Sequence, residues 1–411
     1  FEKTYTILRT GLSKLFVISI EIDDYDIAFE IFESVNSQGV DLSVADLIKN
    51  QIFKNIDSKD YLKAEEKWAE IIENLENAKI NLSPKEFLRY HWASKFDYVG
   101  DSKLYKAIKT EYTKDGKDWS TFLNDLHEDS KTILQIINYS KGQWQQDLGK
   151  ENGAKAFNSI NVLRNLKAKT WLVLVLSMTR DIAKLKTNGV SYAKHLEKVQ
   201  LFTFFYFGIM GFAGNWFWAQ MYKTAQNIYT AKSSNELIEH FENLYKEFGK
   251  KTTVTKKAFN EGFNQITYKQ YGLAKYILSS IELKLRGNSS SGWDSDKVNI
   301  EHFLPQEPKE WGLKKTDIKQ HINVLGNLVL ISSRLNGSLG NKKLGDKIKI
   351  IEKSETEMKM LSGLLEKNKN KTWDFSLIAN KDFSSIELRQ EYLAETAFTI
   401  WVTEMNNKLG Y

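Results

Sequence analysis

Apolar side chains recur at helical spacing along most of the chain. Between about residues 58 and 247 they fall three and four positions apart, which predicts a series of amphipathic helices. Ser83-Pro84-Lys85-Glu86 predicts a helix start, because serine and glutamate at this spacing form a capping box and proline suits the first turn. An apolar stripe lies in the segment 161–179, at Leu163, Leu166, Trp171, Leu172, Leu174 and Val175. We therefore expect a mainly α fold with a helical, bundle-like middle region.

The segment 199–222 contains no charged residue and is long enough to cross a bilayer. Three glycines and the polar residues Gln200, Asn215 and Gln220 interrupt it. We favour a buried, aromatic-rich helix pair that breaks near residues 211–214, and a membrane-associated helical protein is the alternative. The aromatic residues of this segment are expected in the core, with a pocket for a flipped or modified base as the alternative.

The start of the chain has weaker signals. The apolar run 15–22 is typical of a short strand, and the segment 26–36 has helical spacing that ends before Gly39. Ser43 and Asp46 form a second capping signal, which predicts a helix from residue 43 towards residue 53.

Composition limits the chemistry. The 411 residues include no cysteine, which excludes disulfide scaffolds, thiolate zinc sites and cysteine nucleophiles. The formal net charge of +6 permits nucleic-acid binding without proving it. Much of that excess lies in the window 297–353, which holds 11 lysines and arginines against six acidic residues.

A polar, glycine- and serine-rich loop is predicted at 287–296, and the chain changes character after it. The residues from Val298 suit a short strand that ends in Glu301 and His302, and Pro305 forces a turn. A second strand-like run follows at 325–330. The sequence RLNGSLGNKK then leads into a lysine-rich helix.

This order brings together groups that suit phosphodiester hydrolysis. That reaction needs a base to activate water, a cation to neutralise charge on the phosphate, and groups that hold both. A histidine suits the first role, and carboxylate and amide oxygens suit Mg²⁺. Lysines suit phosphate contacts.

The motifs EHFLPQ, GNLVLI and RLNGSLGNKK resemble an HNH nuclease of the His-Me finger (ββα-metal) superfamily. More closely, they are similar to the C-terminal nuclease domain of GmrSD-type modification-dependent restriction enzymes. Residues 372–373 and 386–401 resemble the closing part of that domain, and residues 31–50 resemble the end of the family's ParB-like N-terminal domain. The resemblance implies three regions: the end of the N-terminal domain at 1–56, a helical middle domain at 57–250 and an HNH nuclease domain at 251–411.

The family's N-terminal domain also carries an Asp-Gly-Gln-Gln-Arg motif for NTP hydrolysis, which this sequence lacks. The resemblance therefore implies that the sequence starts after that motif. We expect no nucleotide hydrolysis by this chain alone, and NTP as a cofactor of a longer protein only.

The resemblance also implies roles for individual residues. His302 matches the general base, and Asn327 matches the asparagine that orients it. Glu301 and Asn336 match the ligands of Mg²⁺ or Mn²⁺, although Glu301 is one methylene longer than the aspartate of many HNH enzymes. His321 is not expected to be a ligand. The predicted DNA contacts are Asn341, Lys342, Lys343, Lys347 and Lys349.

The function implied is metal-dependent cleavage of modified phage DNA in bacterial anti-phage defence. One such site cuts one strand, so we expect nicking, or paired cutting by a homodimer, in the cytoplasm and away from membranes. Two alternatives stay open beside the membrane-associated protein. One is a DNA-binding or regulatory module with a degraded nuclease site, and the other is an RNA-directed nuclease.

Overall fold

The structure, a computed structural model, describes residues 9–11, 14, 44–113, 118–166, 168–180, 182, 191–252, 254–287, 297–332, 339–343, 345–347, 349–350, 378 and 380–403. Within these residues the fold is mainly α with a small two-stranded sheet, which confirms the predicted fold class. The predicted strand at 15–22, the predicted helix at 26–36, Asn336 and most of the predicted loop at 287–296 lie outside the described residues.

The described helices are α1 Val44–Asn55, α2 Tyr61–Asn77, α3 Pro84–Ala93, α4 Asp101–Thr113, α5 Trp119–Asn138, α6 Lys141–Leu148, α7 Lys150–Arg164, α8 Trp171–Arg180, α9 Tyr192–Thr203, α10 Gly214–Thr230, α11 Ser234–Thr252, α12 Lys256–Asn264, α13 Tyr271–Arg286, α14 Lys315–Ile318 and α15 Ser384–Phe398. The strands are β1 Val298–His302 and β2 Leu328–Ser332. Residues 345–347 and 349–350, after β2, are helical as well. The order strand, strand, helix is the one that the sequence predicts for this region.

The chain forms two compact units. Unit 1 consists of Phe1–Ile72 and Val99–His127, and unit 2 of Glu73–Tyr98 and Glu128–Tyr411. In unit 1, α1 packs against α4, and the amide of Gln51 donates a hydrogen bond to the hydroxyl of Tyr105 at 3.1 Å. The predicted domain boundaries near residues 56 and 250 stay predictions.

The core of unit 2 contains α8, whose residues from Trp171 to Thr179 are all buried. A helix that is apolar on every side belongs in the interior of a large domain, and α8 packs against α3, α9 and α10. The apolar stripe predicted at 161–179 is buried along its length. The stripe is divided between two helices, because α7 ends at Arg164 and α8 begins at Trp171.

Two local predictions are confirmed. Ser83 caps α3 with both hydrogen bonds of a capping box, since its Oγ accepts from the Glu86 backbone N–H and its own N–H donates to Glu86 Oε2. The uncharged segment at 199–222 breaks where its glycines predict. A π-helical turn continues α9 to Ile209, Gly211 has a φ of +60°, and α10 starts at Gly214. Within the part of the chain that the structure describes, no helix is long and apolar enough to span a membrane.

The sheet and its surroundings fix the position of the predicted site residues. Helix α13 packs on both strands, and α15 packs on the turn Leu325–Asn327 that leads into β2. The end of β1 and the start of β2 are therefore held between two long helices.

Candidate active site

The two strands place Glu301 and His302 at one end of the sheet. β1 and β2 pair antiparallel, with His302 opposite Leu328. Burial alternates along β1, so His302 shares the buried face with Ile300, whereas Glu301 lies on the half-buried face. The sequence folds this way because apolar residues occupy alternate positions of β1 and nearly every position of β2.

The imidazole of His302 lies in a pocket of polar and aromatic groups. His302 is only 7% exposed, and the ring of Tyr268 meets its ring edge-to-face at 4.3 Å between centroids. Its Nε2 lies 3.3 Å from Asn323 Oδ1 and 3.5 Å from Gln306 Nε2. The described part of the chain therefore contacts one ring nitrogen and leaves Nδ1 without a described hydrogen-bond partner.

These contacts favour one tautomer of His302. The carbonyl oxygen of an amide only accepts hydrogen bonds, so the contact with Asn323 requires a proton on Nε2. The opposite tautomer would accept from Gln306, but that distance is longer and lies at the limit of hydrogen bonding. A proton on Nε2 leaves the lone pair on Nδ1, where it can take a proton from water.

Burial favours the neutral form of the His302 imidazole. Removal from water lowers the pKa of His302, because the charged form loses hydration, and the positive charge of Lys347 lowers it further. The hydrogen bond with Asn323 favours the protonated ring and offsets part of this effect. A lowered pKa leaves His302 unprotonated at neutral pH, which is the state that a general base requires.

Lys347 joins the end of β1 to the helical residues after β2. Its Nζ donates to the backbone oxygens of His302 at 2.9 Å and Phe303 at 3.1 Å, and it lies 3.2 Å from Glu301 Oε1. The residue is 1% exposed, and burial lowers the pKa of its ammonium group while Glu301 opposes that change. An ammonium group has three N–H donors, and here each has an acceptor.

This position changes the prediction for Lys347. The sequence predicts a DNA contact within an exposed, lysine-rich helix, whereas the structure buries the ammonium group among three acceptors. The side chain turns inward because an anionic carboxylate and two carbonyl oxygens at the end of β1 need a cation. Lys347 therefore supports the backbone that carries Glu301 and His302.

Burial and the neighbouring groups act in opposite directions on the pKa of Glu301. Burial raises the pKa of Glu301, whereas Lys347 and a hydrogen bond from the backbone of His302 lower it, and the net direction is upward. One of its oxygens, Oε1, is already paired with Lys347. A cation that binds Glu301 would therefore share the carboxylate with this ammonium group.

Asn327 is fully buried, and its side chain bonds to the backbone. Its Oδ1 accepts from the Leu304 N–H at 2.8 Å, and its Nδ2 donates to the oxygens of Leu304 and Ile322 at 3.1 and 2.9 Å. The side-chain amide of Asn327 therefore bonds to the backbone of Leu304 and Ile322 and makes no described hydrogen bond with the ring of His302. Any influence of Asn327 on the predicted base is therefore transmitted through the loop, and the described side chains that contact the ring are those of Tyr268, Gln306 and Asn323.

Helix α15 holds the turn that carries Asn327. Arg389 is buried, and its Nη1 donates to the backbone oxygens of Leu325, Gly326 and Leu328 at 3.2, 2.6 and 2.8 Å. Burial lowers the pKa of this guanidinium to about 10. The side-chain oxygen of Gln390 accepts from the Gly326 N–H at 2.6 Å. The resemblance to a closing helix at 386–401 thus coincides with a helix that directly supports the site.

The other predicted DNA contacts are exposed. Asn341, Lys342, Lys343 and Lys349 lie on the surface after β2, and the backbone oxygen of Lys342 accepts from the indole of Trp311. His321, which the sequence analysis rejects as a ligand, stacks on Phe383 at 4.4 Å.

Sequence reasoning missed several residues of this site: Tyr268, Gln306, Asn323, Arg389 and Gln390. Asn323 lies four residues before Asn327, and Gln306 lies four residues after His302. This closeness in sequence to the EHFLPQ and GNLVLI motifs is the signal that could have identified both residues. Nothing in the sequence pattern distinguished Tyr268 from the many other aromatic residues.

The donor groups at the end of β1 suit a hard cation. Mg²⁺ commonly takes one or two carboxylates, keeps several waters and binds substrate phosphate, so the carboxylate of Glu301 is a compatible donor. Among the described residues, no group of three or more His, Asp or Glu side chains is arranged to hold a metal. Asn336, the second predicted ligand, lies outside them.

Comparison with known proteins finds a similarity in the C-terminal part of the chain. The family model described as GmrSD restriction endonucleases, C-terminal domain, matches residues 253–405. No curated protein matches the chain. The matched segment includes β1, β2, α15 and every residue described above around His302. Residues 253–405 are therefore similar to the C-terminal domain of GmrSD restriction endonucleases.

Proposed function

We propose that this chain is an HNH-type endonuclease that cleaves modified phage DNA in the bacterial cytoplasm, with Mg²⁺ or Mn²⁺ as its cofactor. The match of residues 253–405 to the C-terminal domain of GmrSD restriction endonucleases supports the endonuclease activity and the DNA substrate. The observation that carries the HNH assignment is the imidazole of His302, which is buried, has a lowered pKa and contacts Asn323 at Nε2.

In the proposed reaction, Nδ1 of His302 accepts a proton from water as that water attacks the phosphorus, and the phosphodiester P–O bond opposite the water breaks to release the leaving oxygen. The base is ready for this step because its pKa is lowered and its other nitrogen already carries a proton. Lys347 and Asn327 act on the backbone on either side of Phe303, so they keep the imidazole in place while the proton moves.

Glu301 and Asn336 are the proposed metal ligands. When bound, Mg²⁺ or Mn²⁺ would neutralise charge on the phosphate and on the leaving oxygen. The exposed Lys342, Lys343 and Lys349 are proposed to contact DNA phosphates. Lys347 is not among these contacts because it is buried.

Cleavage of supercoiled plasmid with Mg²⁺ or Mn²⁺ tests this proposal. Wild type should give open-circle or linear DNA, and His302→Ala should reduce the rate by about a hundredfold or more, as loss of a general base does. His321→Ala is the matched control, because His321 lies in the same matched segment, packs on Phe383 and makes no described hydrogen bond with His302. Thermal unfolding of each variant separates lost chemistry from lost folding.

The outcomes distinguish the alternatives. Equal cleavage by wild type and a folded His302→Ala variant would remove His302 from the mechanism. DNA binding without cleavage by either would support a binding module with a degraded site. Faster cleavage of RNA than of DNA would favour the RNA-directed nuclease. Comparison of unmodified with phage-modified plasmid tests modification dependence. The ratio of nicked to linear product, together with the mass of the protein in solution, tests paired cutting by a homodimer.

A further inference from the structure

A second concave site lies in unit 2, apart from the residues around His302. A cavity of about 590 Å³ lies between the segment 96–98, which follows α3, and one face of α10. It falls within the range of volumes typical of ligand sites, 300–1,000 Å³. Its walls from α10 include Asn215, Trp218, Tyr222 and Gln226, which repeat at helical spacing. We call this cavity the aromatic cleft.

Aromatic rings form the floor of the aromatic cleft. The rings of Tyr98 and Tyr222 stack in parallel, 4.6 Å apart and 6° from coplanar. Tyr98 is 48% exposed and Trp218 is 39% exposed, although both are large and could bury more surface. Trp218 lies against Gly214, where an added Cβ would come within 2.5 Å of the indole. Two flat, accessible rings are therefore held on a helix and on the segment next to it.

Polar groups surround these rings. The side-chain amides of Asn215, Gln226 and Asn227 make no hydrogen bond with any side chain or backbone group in the described ranges. Asp97 and Lys223 supply one negative and one positive charge to the wall. The cleft thus offers stacking surfaces, amide donors and acceptors, and no net charge.

We propose that the aromatic cleft binds an unpaired nucleobase of single-stranded DNA. A base has a flat face that stacks on an aromatic side chain and an edge that exchanges hydrogen bonds with asparagine or glutamine. The balanced charge of Asp97 and Lys223 provides little attraction for phosphate, so affinity comes from the base. In duplex DNA each base face is covered by its neighbours, which makes the cleft selective for single strands.

This proposal goes beyond the nuclease site and relies on the proposed function only for the choice of DNA as the probe. The test measures binding in EDTA, without metal and without cleavage. Failure of cleavage in the plasmid assay and failure of binding here are therefore separate results.

The probe is a fluorescein-labelled oligothymidylate of about 20 nucleotides, compared by fluorescence anisotropy with a duplex of the same length. Trp218→Ala and Tyr98→Ala should each weaken single-strand binding by about tenfold, in line with the loss of one stacked base. The duplex should bind equally to wild type and to both variants. Because stacking neutralises no phosphate, the salt dependence of the remaining affinity should not change.

Two further variants control for misfolding and for general loss of aromatic surface. Gly214→Ala retains every group of the cleft but displaces the indole of Trp218, so it should weaken binding as well. Tyr61→Ala removes a tyrosine of similar exposure in unit 1 and should leave binding unchanged. Unchanged affinity in both Trp218→Ala and Tyr98→Ala would overturn the proposal, as would an equal loss of duplex binding in these variants.

Discussion

Lys347 connects charge and backbone geometry at the candidate site. Its ammonium group is removed from solvent and is surrounded by one carboxylate and two carbonyl oxygens. Buried lysines are rare because the ion loses its hydration, and they are found where acceptors replace the water. The three contacts supply that replacement and fix the exit of the chain from β1.

Lys347→Met should destabilise the protein by roughly 3 kcal/mol, because it leaves the Glu301 carboxylate and two buried carbonyl oxygens without their donor. Urea unfolding measures the change. Lys349→Met is the control, since Lys349 lies on the same helical segment but is exposed, and its effect should stay within about 0.5 kcal/mol. Equal small effects of both substitutions would show that the buried contacts contribute little.

The pKa of His302 predicts the pH dependence of cleavage. The proposed base must be neutral to accept a proton, and burial lowers the pKa of His302 from the ordinary value of 6.5. Activity should therefore be constant around pH 7 and fall only as the pH drops through the lowered pKa. The dependence of kcat/KM on pH measures this limb. An acidic limb centred above pH 7 would contradict the assignment.

The dependence of kcat/KM on pH also tests the contribution of Asn323 to the pKa of His302. Asn323→Ala removes an acceptor that favours the protonated ring, so the acidic limb should move to lower pH. The rate at neutral pH should fall too, because the tautomer with a lone pair on Nδ1 is no longer favoured.

Residue types and spacing were enough to place Glu301 and His302 at the end of a strand, because Val298 and Ile300 alternate with polar residues and Pro305 follows. They were not enough to separate Lys347 from Lys343 and Lys349. Which lysine turns inward depends on the phase of the helical segment relative to β1, and that phase is set by packing. The same holds for Asn323, whose contact with His302 spans 21 residues.

At the scale of secondary structure, the packing of α15 on the turn before β2 depends on Gly326. A Cβ at this position would collide with the backbone oxygen of Ile386 and lie 3.0 Å from Gln390. Glycine is needed here for the close approach of two backbones, and Arg389 then bonds to the carbonyl oxygens of the same turn.

Gly326→Ala should therefore separate α15 from the turn and destabilise the protein by about 2 kcal/mol. Cleavage activity should fall as well, because Asn327 is part of the displaced turn. The matched substitution is Gly345→Ala, where a Cβ meets nothing within 4 Å and alanine suits the helix. Thermal unfolding compares the two, and equal melting temperatures would contradict the close-packing argument.

Elements with strong local signals could be predicted from the sequence. The capping box of α3, the break between α9 and α10, and the two strands all have such signals in serine, glycine, proline or alternating apolar residues. The sequence has no such local signal for the division of the stripe at 161–179 into α7 and α8, because the apolar spacing continues across the break. Tertiary contacts of α8 with three other helices decide that boundary.

At the scale of the whole molecule, unit 2 buries histidines away from the candidate site. His91 lies 2.6 Å from Asp129, which Arg180 also holds through two hydrogen bonds. His195 stacks on Phe241 at 3.8 Å and bonds to the hydroxyl of Tyr245. Burial lowers the pKa of His91 to about 4 and that of His195 to about 3.

These histidines should make the protein sensitive to acid. As the pH falls from about 6.5 towards 4, the unfolded chain takes up protons that the folded chain does not, so stability is present above this window and is lost within it. Within this window each histidine lowers the free energy of unfolding by up to about 1.4 kcal/mol for each unit by which the pH falls. Urea unfolding at pH 7 and pH 5 should show a lower free energy of unfolding at pH 5. His195→Gln should make that free energy depend less steeply on pH. A midpoint that is independent of pH over this range would contradict the prediction.

The contact of Arg389 with the turn before β2 has a consequence for synthesis. The guanidinium bonds to Gly326, 63 residues earlier in the chain. Domains fold as they emerge from the ribosome, but this turn lacks its buried donor until α15 has been translated. The strands, Glu301 and His302 emerge well before that point. We therefore expect the candidate site to stay incompletely supported, and the newly made chain to stay inactive, until residues 384–403 leave the ribosome.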